Sequence, residues 1–232
     1  MAGLRFFGAV ARELAGEAVR GARLGSGRAF FGAAARARVA EAVRAVELET
    51  SAELVVALRP ASGHYRHTDY LVGALAALAL LCVFLYHPEP FEYDFLPLEL
   101  GAVFGAGALA SAYFGPLRRA LTSRPLREQS VRRAAREAFV DLGVSRTRAR
   151  TGVLVYVSMF ERRVEVVADV GVEAKALEAP SRQAAAAVAG SFLGAPSFDG
   201  FVAALRRFGP ALAAALPRDD DDENELGDEV RP

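Results

Sequence analysis

GVLVYVSMFERRVEVVAD, residues Gly152–Asp169, is the stretch that decides the fold. GVLVYVS (Gly152–Ser158) and RVEVVAD (Arg163–Asp169) are strand-length runs, and the four residues Met159–Arg162 between them make a hairpin-length connection. Upstream, Pro125 opens a helix to about Leu142 that buries Val131, Ala134, Ala135, Ala138 and Leu142 and stops at Gly143. Before it, Ala52–Arg59 (AELVVALR), closed by Pro60, suits a strand covered on both faces. Ala33–Glu49 carries Val39, Ala42, Val43 and Val46 at helical spacing. Downstream, Ala-rich helices are predicted at about Ser181–Leu193 and Phe198–Leu216. A helix between the first two strands makes them a right-handed parallel crossover, and the third strand returns antiparallel. The expectation is an α/β fold, a small three-layer sandwich with a mixed sheet.

Two apolar stretches interrupt this domain after its first strand. Tyr70–Tyr86 (YLVGALAALALLCVFLY) has no charge, and Leu96–Phe114 has one acid, Glu99, in its first turn. Each is near the short end of what crosses about 30 Å of hydrocarbon, and the nine-residue loop HPEPFEYDF joins them into a transmembrane hairpin. Tyr70, Tyr86, Tyr93 and Tyr113 mark the ends, where amphipathic rings prefer headgroups. Gly101 and Gly105 form a small-xxx-small pair that a Gly73–Ala77 face on the first span would match. The loop holds Glu89, Glu92 and Asp94 and no base, whereas Arg59, Arg66, Arg118, Arg119, Arg124 and Arg127 flank the spans. The positive-inside rule then puts both termini in the cytoplasm of an inner-membrane protein.

Composition agrees. The chain has 232 residues, is 53% hydrophobic, and balances 28 bases against 28 acids, so net charge argues against nucleic acid as a partner. Residues 1–30 form an extension whose Leu4, Phe7, Ala11, Leu14 and Ala18 share a helical face. It reads equally as an amphipathic helix on anionic lipid and as a helix or tail against the domain. Its five arginines exclude a cleaved leader. Residues 31–69 and 116–217 make the two parts of the domain, 70–115 the hairpin, and 218–232 an acidic tail expected to be disordered.

Several of these segments resemble a known family. ERRVEVVADVGV (Glu161–Val172), preceded by RTGVLVYVS (Arg150–Ser158), resembles the TPM domain, and EAVRAVELETSAELVVAL (Glu41–Leu58) is similar to that domain's first helix and strand. A bacterial membrane subgroup carries a two-span hairpin at this position and a tail much like NELGDEVR (Asn224–Arg231). The resemblance implies a TPM-like sandwich and a diffuse range of roles. Relatives include a thylakoid acid phosphatase linked to photosystem repair, calcium-binding bacterial domains, and an accessory protein of an animal ion channel. After the glycine many relatives continue with Leu-Glu and a nearby Asp. This chain instead has GVEAKALE (Gly171–Glu178).

Motifs for chemistry are sparse. The chain has no GxxxxGK[ST], HExxH, GxSxG or CxxC, and Cys82 alone excludes an intramolecular disulfide. Gly105–Ala110 (GAGALA) matches a dinucleotide pattern but sits mid-span, away from any strand–helix turn. His64, His67 and Asp69 offer metal-ligand spacing without a fourth partner, and His87 lies at the far end of the span. Glu53 and Asp169 fall on one edge of the sheet, near Glu49 and Asp141. There they could hold a divalent cation such as Ca²⁺ or Mg²⁺, or pair with Arg146, Arg148 and Arg150, and the surplus of arginine favours pairing. At the opposite edge, where open α/β sheets bind ligands, stand Arg59, Ser62 and Ser158. Seven arginines between Arg118 and Arg136 lack interleaved aromatics and suit anionic lipid better than nucleic acid. The expectation is a lipid-embedded protein whose cytoplasmic domain docks on a membrane-protein partner in a non-enzymatic maintenance role. The alternative is a metal-dependent phosphatase working through Glu53 and Asp169.

Overall fold

A computed structural model describes residues 32–88, 94–172, 198–218 and 225–226. The extension 1–30, the predicted helix Ser181–Leu193 and most of the acidic tail lie outside the described residues. The chain divides into two compact units, one holding residues 64–124 and the other residues 32–63 and 125–226.

In the second unit, α1 (Ala33–Glu47) precedes β1 (Glu53–Arg59). Then come α5 (Arg124–Asp141), a 3₁₀ turn at Val144–Arg146, β2 (Gly152–Ser158), β3 (Arg163–Ala168), α6 (Phe198–Arg206) and α7 (Phe208–Ala215). The sheet order is β1-β2-β3. β1 and β2 are parallel, with Glu53 opposite Gly152 and Arg59 opposite Ser158. β3 returns antiparallel, with Val153 opposite Ala168 and Ser158 opposite Arg163. The mixed three-stranded sheet is therefore as the sequence predicts.

Strand alternation sends successive side chains to opposite faces, and here both faces are apolar. Leu54, Val56, Leu58, Val153, Val155 and Val157 pack with Val39, Val43 and Val46 of α1, Phe201 and Leu205 of α6, and Phe208 and Leu212 of α7. On the other face Val55, Ala57, Leu154 and Tyr156 meet Val131, Ala135, Ala138 and Phe139 of α5. Each fully buried Val, Leu or Phe stabilises by roughly 1.5–3 kcal/mol relative to exposure, so these two layers hold the unit together.

Gly143, at φ 70°, ends α5 in the left-handed conformation that a side chain resists. Two other glycines let the loops close on the sheet. A Cβ at Gly152 would strike the Val144 carbonyl, and one at Gly171 the carbonyls of Ala149 and Arg150. The predicted helix Phe198–Leu216 is instead two helices, broken at Arg207. Pro210 lacks the N–H that would bond the Arg206 carbonyl, and its ring clashes with that carbonyl in a continuous helix.

The first unit contains α2 (Arg66–Tyr86), α3 (Leu96–Tyr113) and α4 (Gly115–Leu121). α2 starts four residues before the apolar run, and Asp69 in its first turn complements the helix dipole. At 1.5 Å per residue α2 and α3 are about 32 and 27 Å long. Both are long and apolar enough to cross a membrane. The α2–α3 contact differs from the predicted one. A Cβ at Gly73 would lie 2.6 Å from the Phe104 carbonyl, and one at Gly107 3.2 Å from the Cα of Gly73, while Gly101 and Gly105 face open space. The helices therefore approach through Gly73 and Gly107.

Candidate functional site

The carboxyl ends of β1 and β2 hold a closed polar relay. Ser62 follows β1 by three residues, and Ser158 and Tyr156 are on β2. The Ser62 hydroxyl donates to Ser158 Oγ at 2.7 Å, and the Ser158 hydroxyl donates to the Glu161 carboxylate. With the Ser62 proton so committed, Tyr156 donates to Ser62 Oγ across 3.1 Å. The Ser62 N–H also donates to Glu161 Oε1 at 3.0 Å. Ser158, Glu161 and Tyr156 are buried. Burial pushes the Tyr156 hydroxyl above its ordinary pKa, against the nearby Arg59 charge, which pulls it down.

This arrangement fixes more than it opens. The carboxylate of Glu161, on the tight β2–β3 turn, is satisfied by the Ser62 N–H from a loop ninety-nine residues away and by the Ser158 hydroxyl at the end of β2. Backbone bonds from Met159 to the Arg59 carbonyl and from Phe160 to the Pro60 carbonyl continue the tie. The Ser158 hydroxyl is buried and donates to a carboxylate, which braces the β2–β3 turn against the loop after β1. Sequence reasoning placed Ser62 and Ser158 here but missed Glu161 and Tyr156.

At the amino end of the sheet, on the one edge where the sequence puts them both, Glu53 and Asp169 stand on either side of the Gly152 backbone. Glu53 opposes Gly152 in the ladder, and the Asp169 N–H donates to the Gly152 carbonyl. Asp169 pairs with Arg150 Nε at 3.0 Å and accepts the Val170 N–H at 2.7 Å. Arg150 reaches it from a left-handed backbone, φ 58°, and its carbonyl accepts the Gly171 N–H. Glu53 accepts the backbone N–H groups of Glu225 and Leu226 at 3.0 and 3.2 Å. Glu49 lies against Gly209, where a Cβ would come within 2.6 Å of its Oε2. Arg146 ends the 3₁₀ turn, and the Arg148 N–H donates to Glu225. Within the tail, then, Glu225 and Leu226 are docked on the domain, where the sequence predicts disorder throughout.

In the hairpin unit, Asp69 accepts hydrogen bonds from Ser111 Oγ at 2.9 Å and Arg118 Nη2 at 2.8 Å. The Thr68 and Thr122 hydroxyls meet beside them at 3.2 Å. His67 lies edge-on to Tyr65, and both His64 and His67 are exposed. Among the described residues no three His, Cys, Asp or Glu side chains gather as metal ligands. Of the arginine stretch, Arg124, Arg132, Arg133 and Arg136 are exposed, and Arg132 and Arg133 have glutamate partners at 3.8 and 3.6 Å. A surface groove of about 220 Å³ beside α1 and α6 is bordered by the Arg38–Asp199 and Arg206–Glu41 ion pairs. It is smaller than the ~300 Å³ at which ligand pockets begin.

No protein-family model matches the chain, and no curated protein matches it in sequence. Among solved structures it is similar to the NMR structure of the BA42 protein from the psychrophilic bacterium Bizionia argentinensis sp. nov. The TM-score is 0.49 and the identity 18%, over 86% of this chain and 93% of that one.

Proposed function

We propose that this chain is a two-span protein of a bacterial inner membrane, with both termini cytoplasmic. Its small TPM-like α/β domain serves as a binding module in membrane-protein maintenance rather than as an enzyme. The observation that carries this reading is how little of the hairpin is buried among the described residues. Only 17% of the apolar window of α2 and 6% of that of α3 are buried. Leu71, Leu75, Leu78 and Leu85 on α2, and Leu98 and Leu109 on α3, are each more than half exposed. In water each forgoes much of the roughly 1.5–3 kcal/mol that burial would contribute. Hydrocarbon about 30 Å thick removes that penalty along the whole helix.

The arginine flanks and the acidic loop support the orientation. The exposed Arg124, Arg132, Arg133 and Arg136 would meet anionic headgroups, at about 1 kcal/mol per residue near the surface. The patterns at residues 41–58 and 150–172 support a TPM-like identity for the domain. The closed relay at Ser158 supports binding over catalysis, since its hydroxyl is buried away from any substrate. The test is fractionation of bacteria expressing the full chain, followed by an alkaline carbonate wash. The chain should stay in the membrane pellet; release into the wash would overturn the reading.

A further inference from the structure

We infer that the amino-terminal edge of the sheet is a peptide-binding site selective for an acidic residue followed by leucine, held in cis by the chain's own Glu225–Leu226. Three separate features of this dipeptide are read there. Its backbone is captured by Glu53, whose two carboxylate oxygens accept the consecutive N–H groups of Glu225 and Leu226 at 3.0 and 3.2 Å. Its acidic side chain is read by the Arg148 backbone N–H, which lies 3.0 and 3.3 Å from the Glu225 carboxylate oxygens. Its apolar side chain is read by the face of the sheet under α5, where Leu226 packs on the cluster of Val55, Val131, Leu154 and Phe139 with Leu142 and Val167 at its margin.

Glu53 is 7% exposed. A carboxylate so placed is costly without donors, and the two peptide N–H groups supply them. The contact is also modular. Glu53 and Glu225 are 172 positions apart, so the dipeptide meets the edge as a separate strand of chain would. Covalent connection to the same chain only raises its effective concentration. An acidic Glu-Leu segment of a partner protein would engage the same groups once it outcompetes the tail. This inference rests on reading the domain as a binding module. Its test is carried out in detergent, so a chain that integrates into membranes yet binds no peptide would overturn this inference alone.

The experiment uses the full chain in detergent and a fluorescent peptide of residues 219–232. In the variant Glu225→Ala/Leu226→Ala the tail keeps its backbone N–H groups but loses both side-chain contacts, so the added peptide should displace it and bind saturably, at least tenfold tighter than to the wild-type chain. Adding Glu53→Gln to that variant should weaken binding at least tenfold, and a peptide carrying both alanines should not bind. Equal binding to wild type and variant, or none to a variant that still melts cooperatively, would overturn the inference. A second readout covers a variant that fails to fold. Hydrogen exchange of the wild-type chain should show the amides of Glu225 and Leu226 protected, and that protection should fall at least tenfold in Glu53→Gln. Unprotected amides, or protection that survives the substitution, would also overturn it.

Discussion

Asp69 Oδ2 lies 2.8 Å from Arg118 Nη2, joining the first turn of α2 to α4, while the other carboxylate oxygen of Asp69 accepts from the buried Ser111 of α3. One aspartate thus ties three helices at one end of the hairpin unit. The Asp69 side chain is 8% exposed and that of Arg118 23%, so the pair is shielded from solvent on one side only.

Asp69→Ala should therefore destabilise the hairpin by about 2–4 kcal/mol. That is near or just below the 3–5 kcal/mol typical of stripping one partner from a buried pair, because Arg118 keeps some water. Arg118→Leu combined with Asp69→Leu should cost less than either single change, since no charge is left unmatched. Thermal melts in detergent arranged as a double-mutant cycle measure this. Strictly additive effects would contradict it.

Gly73→Val and Gly107→Val should separate α2 from α3, because a Cβ at either position meets the other helix within 3.2 Å. Gly101→Val and Gly105→Val should leave the stability in detergent within about 0.5 kcal/mol of wild type, as changes clear of packing do. The reverse ranking would mean that the helices pack through the other face.

What could be read from the sequence was whatever local spacing encodes. The strands 152–158 and 163–168, the β1 run and the Gly143 stop all announce themselves through apolar period, length and turn chemistry. Glu161 did not. A glutamate in a four-residue turn reads as solvated, and only the crossing of the post-β1 loop brings Ser62 onto it. Gly107 was hidden because three glycines on one span fit two packing faces equally well by spacing. The docked Glu225–Leu226 was masked by the acids around it, which make the whole tail look solvated. At Asp69, spacing suggested a metal ligand beside His64 and His67, but its partners come from α3 and α4.

Asp169→Asn bears on the two functional readings. Asp169 is buried, paired with Arg150 and bonded to the Val170 N–H. Losing that charge should destabilise the α/β unit by about 1.5–3 kcal/mol, the range for a hydrogen bond to a charged group. The loss should be the same with and without Ca²⁺, Mg²⁺ or Mn²⁺. A melting shift on cation addition, accompanied by phosphoester hydrolysis and abolished by Asp169→Asn, would favour the phosphatase instead.

Tyr156→Phe should change how stability depends on alkaline pH. Burial raises the Tyr156 pKa above its ordinary 10.0, so the folded chain holds the phenol proton more tightly than the unfolded one. Below about pH 10 both states are protonated and Tyr156 adds no pH dependence. Above it the unfolded state binds fewer protons, and the stability held by Tyr156 falls as pH rises towards the folded pKa. Denaturation of wild type and Tyr156→Phe at about pH 8 and about pH 10.5 should show a difference that shrinks at the higher pH. A difference that grows would contradict the assignment. At the lower pH the variant should lose about 1 kcal/mol, with the hydrogen bond to Ser62.

Membrane topology is the centre of the account, and the lone cysteine makes it directly measurable. In a Cys82→Ser background, a single cysteine is placed at Asp94, before α3, or at Arg218, after α7. Intact cells with a permeable outer barrier are treated with a membrane-impermeant maleimide. Asp94→Cys should react from outside, and Arg218→Cys only after lysis. Labelling of Arg218→Cys in intact cells, or an Asp94→Cys that stays silent until lysis, would contradict a hairpin that crosses the bilayer and returns.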